Sequence, residues 1–305
     1  MYRTVIEVLK WTEAKTVLGV AHVSRLWRGI SSSEELWYSL LEAEGLQVED
    51  LEQVLSTAQA CYRELIIITR NLVLFRDENL YLYDCMHATF ERSYPCSSTP
   101  FKESCAVAFV PPQSVFVCCL TGTAQMRLSE GTFESLNPML YPRQYHSIVA
   151  CNASVYAFGG VHCRSAERFY LGRKVWVQLP DMSQCRSHFN ACRKGKVIYL
   201  CGGNTSNCET FRVDSETYAA LPLRVTNTSS VSFFYKDQLL CLAGEAVYWV
   251  TGNRVEVRRK RMALASWGNQ APVAMGSRVY VTMFECKNIL EIRMDSLSSR
   301  PVCSS

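Results

Sequence analysis

The sequence predicts a mostly β protein, a six-bladed β-propeller preceded by a small all-α module. Three observations predict it. Short apolar runs recur with a period near 42 residues, further strand-like runs and turn residues flank each of them, and residues 1–60 show helical spacing in place of the period. A fixed period of about 20–50 residues marks a repeat architecture, and a long one made of strand-like units suggests propeller blades.

The period is clearest in VYAFGG, Val155–Gly160, and IYLCGG, Ile198–Gly203. The same slot holds LVLFRD from Leu72, VFVCCL from Val115, LLCLAG from Leu239 and VYVTMF from Val279, so successive steps are 43, 40, 43, 41 and 40 residues. Turn residues precede the slots: Pro111-Pro112, Asn152, Lys194-Gly195, Lys236-Asp237 and Gly276. Before them comes another short apolar run, such as HSIVAC or SVSFFY, which makes two strands and a tight turn. A third strand follows each slot as LYLYD, AQMRLS, ERFYL, ETFRVD, VYWVT or ILEIRMD. A fourth opens on an aromatic residue and closes on leucine in FESL, WVQLP and YAALP. Four strands per unit and six units make a propeller, because one such sheet cannot cover both its faces and must stack on its neighbours. The glycine pairs end the second strand, where positive φ and a close backbone approach exclude a Cβ. Trp176 is expected to fill the wedge between blades. No GxGxxG or GxxxxGK accompanies the glycines, so they do not read as a phosphate loop.

Residues 1–60 carry Val5, Val8 and Leu9, then Val17, Leu18, Val20, Val23 and Leu26 at helical spacings. Ser31-Ser32-Ser33 before Glu34-Glu35 is a helix start, with hydroxyl caps and acids in the first turn, and that helix carries Leu36, Trp37, Leu40 and Leu41. A helical module at 1–45, a helical connector at 46–65 and a propeller at 66–305 are the expected domains.

Composition sets bounds on function. At 48% apolar and 20% charged residues the 305-residue chain is an ordinary globular protein. Its net charge of +4 is too mild for a nucleic-acid binder, and Arg258-Arg259-Lys260-Arg261 reads as a solvated strand end. Glu7 and Lys10 interrupt the first apolar stretch, so it is not a secretory signal, and no window reaches the ~20 apolar residues of a membrane span. The fifteen cysteines form no CxxC pair, and Cys118, Cys201 and Cys241 fall in apolar strand runs as small buried hydrophobes of a reducing compartment. Five scattered histidines and no ligand doublet argue against a zinc site.

ERFYLGRKVWVQLPDMSQCRSHF followed by VIYLCGG resembles the kelch repeat: strand, aromatic, Leu-Pro-x-Met, then Arg before the next first strand and its glycine pair. PMLYPRQYHSIVACNASVYAFGG carries the same pattern through Met139, Arg143 and His146. The two middle repeats match well, the fifth in part, and the first, second and last are degenerate. Upstream, VLGVAHVSRLWRGISSSEELWYSLL is similar to the F-box, through Val23, Ser24, Arg25, Trp27 and Arg28 followed by Leu36 and Trp37. The Leu-Pro-x-Glu segment with which that family opens is absent from this chain, which starts at MYRTVIEVLK.

The resemblance to F-box/kelch-repeat proteins implies a substrate receptor of a cullin-type (SCF) ubiquitin ligase, cytoplasmic or nuclear, acting by proximity and not by bond chemistry. It implies an S-phase-kinase-associated adaptor and a cullin as partners, a protein substrate, and neither cofactor, metal, nucleic acid nor membrane. The expected adaptor contacts are Val5, Leu9, Leu18, Val23 and Leu36, with Trp27 and Trp37 holding the module together. The expected substrate contacts lie between one blade's fourth strand and the next blade's first: Arg143, Tyr145, His146, Arg186, Ser187 and His188, with Asn204 in the loop after a glycine pair. Two arginines 43 residues apart suit an acidic or phosphorylated segment, and equally suit pairing with carboxylates or carbonyls of adjacent blades. Two rivals remain: a kelch scaffold without a ligase role, and a copper oxidase, which needs tyrosine, histidine and cysteine ligands converging on one mouth.

Overall fold

In a computed structural model the chain divides into two units, Met1–Ile67 and Ile68–Ser305. The structure describes residues 36–37 and, within 71–302, all but 77–78, 86, 97–104, 111–113, 227–228, 236–237, 245, 252–253, 260–271, 276 and 283–288. In the first unit Leu36 and Trp37 are helical and fully buried.

The second unit is built of antiparallel sheets whose strands follow chain order. The first holds β1 (Asn71–Arg76), β2 (Asn79–Asp84) and β3 (Thr89–Pro95). The second holds β4 (Ala106–Val110), β5 (Ser114–Cys119), β6 (Gly122–Arg127) and β7 (Phe133–Leu136); the third holds β8 (Ser147–Cys151), β9 (Ser154–Phe158), β10 (Ala166–Tyr170) and β11 (Val175–Leu179). The fourth holds β12 (Ala191–Lys194), β13 (Val197–Cys201), β14 (Asn207–Arg212) and β15 (Thr217–Arg224). The fifth holds β16 (Ser230–Tyr235), β17 (Gln238–Ala243), β18 (Ala246–Thr251) and β19 (Arg254–Arg259). The sixth holds β20 (Val273–Met275), β21 (Arg278–Thr282), β22 (Ile289–Arg293) and β23 (Ser298–Pro301). Five of these sheets are four-stranded blades. The first has three strands among the described residues, so six complete blades are not seen: its β1 fills the slot that β5 and β9 fill elsewhere.

Apolar side chains on both faces of each sheet explain why none stands alone. One cluster joins the second and third blades through Phe116, Val155, Phe169 and Trp176. Others join the third to the fourth, the fourth to the fifth, the fifth to the sixth, and the sixth to the first through Tyr280, Ile289, Leu72 and Tyr83. Tyr94 of the first sheet donates its hydroxyl to Leu128 O of the second at 3.2 Å. Trp176 fills its wedge as expected, tilted against Phe169 and edge-on to Phe116, and its Nε1 donates to Asn137 O at 3.0 Å. Tyr218, in the same position one blade on, donates its hydroxyl to Pro180 O at 3.1 Å. Burial of one such aromatic side chain contributes about 1.5–3 kcal/mol.

The strands β4, β8, β12 and β16 pack side by side and are the innermost of their blades. Crowding near the axis favours small polar residues there, each buried and each bonded across the blade boundary. Ser147 Oγ accepts from Ala191 N at 2.6 Å, and the Asn190 amide exchanges two bonds with the Ser232 main chain at 2.7 and 2.8 Å.

At Gly159 the φ is +70°, and a Cβ would stand 2.1 Å from Arg186 O, whose carbonyl Gly160 N needs at 2.8 Å. Gly159→Ala is therefore expected to cost more than about 2 kcal/mol, because strain and a main-chain clash coincide. Thermal unfolding of the purified variant checks this.

Candidate protein-binding face

One face of the propeller is made of the segments between blades, 137–146 and 180–188, and of the loops after the glycine pairs, 159–165 and 202–206. Main-chain bonds lace them together: Val161 N donates to Gln144 O at 3.0 Å, Met182 N to Arg164 O at 2.8 Å and Arg186 N to Cys163 O at 3.2 Å. The pattern repeats one blade on, where Asn204 N donates to Ser187 O at 3.2 Å.

Arg143 and Arg186 do not lie open to a ligand at the mouth. Each is about 1% exposed or less, and each is a clamp inside its own blade. Arg143 Nε and Nη2 donate to Glu167 Oε1 at 3.1 and 2.7 Å, while Nη1 donates to Gly159 O and Ser165 O at 2.7 and 2.8 Å. Arg186 Nη2 donates to Glu209 Oε1 at 3.2 Å, and its Nη1 to Gly202 O and Asn207 O at 2.6 and 2.7 Å. The physical reason is that a buried guanidinium must find hydrogen-bond acceptors inside the protein, and the turns at the glycine pairs present carbonyls that supply them. The arginines pair with carboxylates and carbonyls, though of their own blades and not of adjacent ones, and the expectation of an arginine site for an acidic segment is corrected.

The other expected contacts separate in the same way. His146 and Ser187 are buried, and burial followed by the charge of Arg143 pulls the His146 imidazole down to about 3. Tyr145 and His188 are half-buried and come together: their rings stack at 4.2 Å, and His188 N donates to Tyr145 O at 3.0 Å. Both hold positive φ, 54° and 57°, which turns the two rings together onto this face. Burial also pulls the His188 imidazole down. Asn204 is exposed, and its Oδ1 is spent locally, accepting from Ser187 N at 2.8 Å.

Val5, Leu9, Leu18 and Val23 lie outside the described residues. Leu36 is fully buried, so it is not open to an adaptor; that expectation is corrected.

The sequence reading passed over the carboxylates. Glu167 also accepts from Leu140 N and Tyr141 N at 2.6 and 3.2 Å, and Glu209 accepts from Ser183 N at 3.1 Å. Each carboxylate thus ties a loop to its blade. The signal was present: Glu167 and Glu209 stand 42 residues apart in ERFYL and ETFRVD, on the period that located the arginines. Also missed were Leu140 at 53%, Tyr141 at 45% and Val161 at 41% exposed, apolar side chains that this frame holds outward. Among the described residues no group of three or more His, Cys, Asp or Glu side chains is placed to hold a metal ion.

Sheets, glycine turns and arginine clamps together define a propeller-like arrangement of antiparallel blades. No protein-family model matches the chain. It is similar to the kelch repeat and BTB domain-containing protein 2 of Ectromelia virus (strain Moscow), with 30% identity over 87 residues, 27% of this chain and 16% of that protein. Among solved structures it is similar to a fungal alcohol oxidase of the AA5 family in complex with copper, at 13% identity and TM-score 0.54, covering 79% of this chain and 64% of that one. At that identity the likeness shows the fold alone.

Proposed function

We propose that the chain is a non-catalytic protein-interaction scaffold whose loop face receives a protein partner. The observation that carries this reading is the outward display of Leu140, Tyr141 and Val161 on loops that Glu167 and Arg143 clamp to the blade. Rigid loops with exposed apolar and aromatic side chains bind with little ordering cost, and such residues are where interface energy concentrates. The likeness to a kelch repeat protein supports the same reading.

Within it, we propose that residues 1–45 act as an F-box that docks on the S-phase-kinase-associated adaptor, making the chain the substrate receptor of a cullin-type ligase. The spacing of Val23, Ser24, Arg25, Trp27, Arg28, Leu36 and Trp37 supports this, as does the burial of Leu36 and Trp37 in a helix. The mechanism is proximity: a captured protein meets the charged conjugating enzyme at a raised effective concentration.

Affinity capture of the full chain from proteasome-inhibited cells, read by mass spectrometry, tests both readings. Leu140→Ser, Tyr141→Ser and Val161→Ser together should lose the captured partner at least tenfold while the melting temperature stays put, since exposed positions outside buried networks shift stability by only about 0.5 kcal/mol each. Undiminished capture rejects the face. Val5→Asp with Leu9→Asp should lose adaptor and cullin and keep the substrate; if the intact chain brings down neither adaptor nor cullin, the ligase role falls and the scaffold stands.

A further inference from the structure

The second blade lacks the clamp. Its β5 follows the register of β9, with Ala106 opposite Cys118 where Ser147 stands opposite Phe158, and Thr123 opposite Cys118 where Ala166 stands opposite Phe158. Ala124 therefore holds the position of Glu167, and Cys119-Leu120 holds that of Gly159-Gly160. Continued one step beyond Ala106, the register sets Cys105 against Cys119, in the place of His146, and the two thiols are hydrogen-bonded. Blade two thus sets two thiols face to face where blade three carries a glycine and a histidine.

We propose that Cys105 and Cys119 form a reversible disulfide, a peroxide-responsive modification site that staples the innermost hairpin of the one four-stranded blade in which alanine replaces the clamping glutamate of blades three and four.

The geometry suits the bond. Directly opposed residues of an antiparallel pair have Cα atoms about 4.5 or 5.5 Å apart, inside the roughly 4.4–6.8 Å that a disulfide spans. Cys119, itself 2% exposed, sits at the mouth of the β5–β6 hairpin beside exposed Leu120 and Thr121, and Cys105 is 9% exposed at the end of the ladder, so the pair lies just beneath the face. The Cys119 thiol is hydrogen-bonded from several sides, to Gly122 O at 3.4 Å and Thr121 Oγ1 at 3.5 Å as well as to Cys105. The bond from Cys105 leads in drawing Cys119 down to about 6, which makes a thiolate available at neutral pH. Its sequence neighbour Cys118 points to the opposite side of the strand, is fully buried, and is pushed up by that burial.

The chemistry closes. The Cys119 thiolate attacks one oxygen of a hydroperoxide, the O–O bond breaks, hydroxide or alkoxide leaves, and sulfur is oxidised to the sulfenic acid. The Cys105 sulfur then attacks that sulfur, the S–S bond forms, and the sulfenic oxygen leaves as water with the thiol proton. A dithiol reductant reverses the step by exchange.

The full chain, purified reduced, is treated with hydrogen peroxide, alkylated and mapped by mass spectrometry. The expected result is a Cys105–Cys119 cross-linked peptide that dithiothreitol removes, formed at least about tenfold faster than any modification of Cys118, with a melting temperature several degrees above the reduced chain. Cys105→Ser should abolish the cross-link and leave Cys119 trapped as a dimedone adduct. The proposal is overturned if Cys119 is alkylated equally before and after peroxide, if it links to another cysteine, or if Cys105→Ser leaves its oxidation product unchanged.

Discussion

Arg143→Ala is expected to lower the unfolding free energy by about 3–5 kcal/mol, the cost of leaving a buried carboxylate without its partner. Both side chains of the Arg143–Glu167 pair are fully buried, and the guanidinium also holds Gly159 O and Ser165 O. Arg143→Lys should recover little, since an ammonium cannot match a fork that serves two carbonyls and a carboxylate together. Replacing both partners, as Arg143→Met with Glu167→Leu, removes the stranded charge and still falls short of wild type. Two carbonyls lose their donor, and Leu140 N and Tyr141 N lose their acceptor. Urea unfolding of the two single variants and the double variant gives the coupling directly; a double variant as stable as wild type would show that the loops need no clamp.

Acid should destabilise the propeller through His146. The imidazole is fully buried and its folded value is near 3, against 6.5 in the unfolded chain. Between those values the unfolded chain binds a proton that the folded chain refuses, so stability rises with pH across that window. It is complete above about pH 6.5, is lost as pH falls toward 3, and changes little from this group below that. At 1.36 kcal/mol for each pH unit of difference the loss is on the order of 5 kcal/mol. His146→Leu, about the same size and unable to protonate, should flatten the curve. His188 acts with the same sign, so the difference between wild type and variant isolates His146. Equal pH slopes for the two proteins would mean that His146 reaches solvent before the blade unfolds.

Much of the fold was legible because the repeat writes one structural problem several times. A blade ends its second strand between two entry segments, and the glycines there meet main-chain oxygens: Gly159 that of Arg186, entering the next blade, and Gly203 that of Ser187, entering its own. A steric demand of that kind admits few residues, so it survives as a readable period. The wedge residues Trp176 and Tyr218 were legible for the same reason. The first sheet was less so: LVLFRD and LYLYD announce strands, and the described residues give them β3 as a third partner and no fourth.

The site was legible in position and misread in chemistry. The spacing of Arg143 and Arg186 located the face, yet an arginine on a loop looks the same in sequence whether its guanidinium meets water or Glu167. Burial decides that, and burial depends on which turn folds back over the side chain. Leu140, Tyr141 and Val161 carried no period, because nothing in the ring requires them; their exposure is visible only once the loops are laced together.

The sequence by itself determined the number of repeat slots, the strands within each and the glycines between them, since local sterics and alternation act over a few residues. Only the tertiary structure decided which polar groups are sealed in and which apolar ones are left out. That choice is made across blades, where residues far apart in the chain compete for the same carbonyls and the same surface.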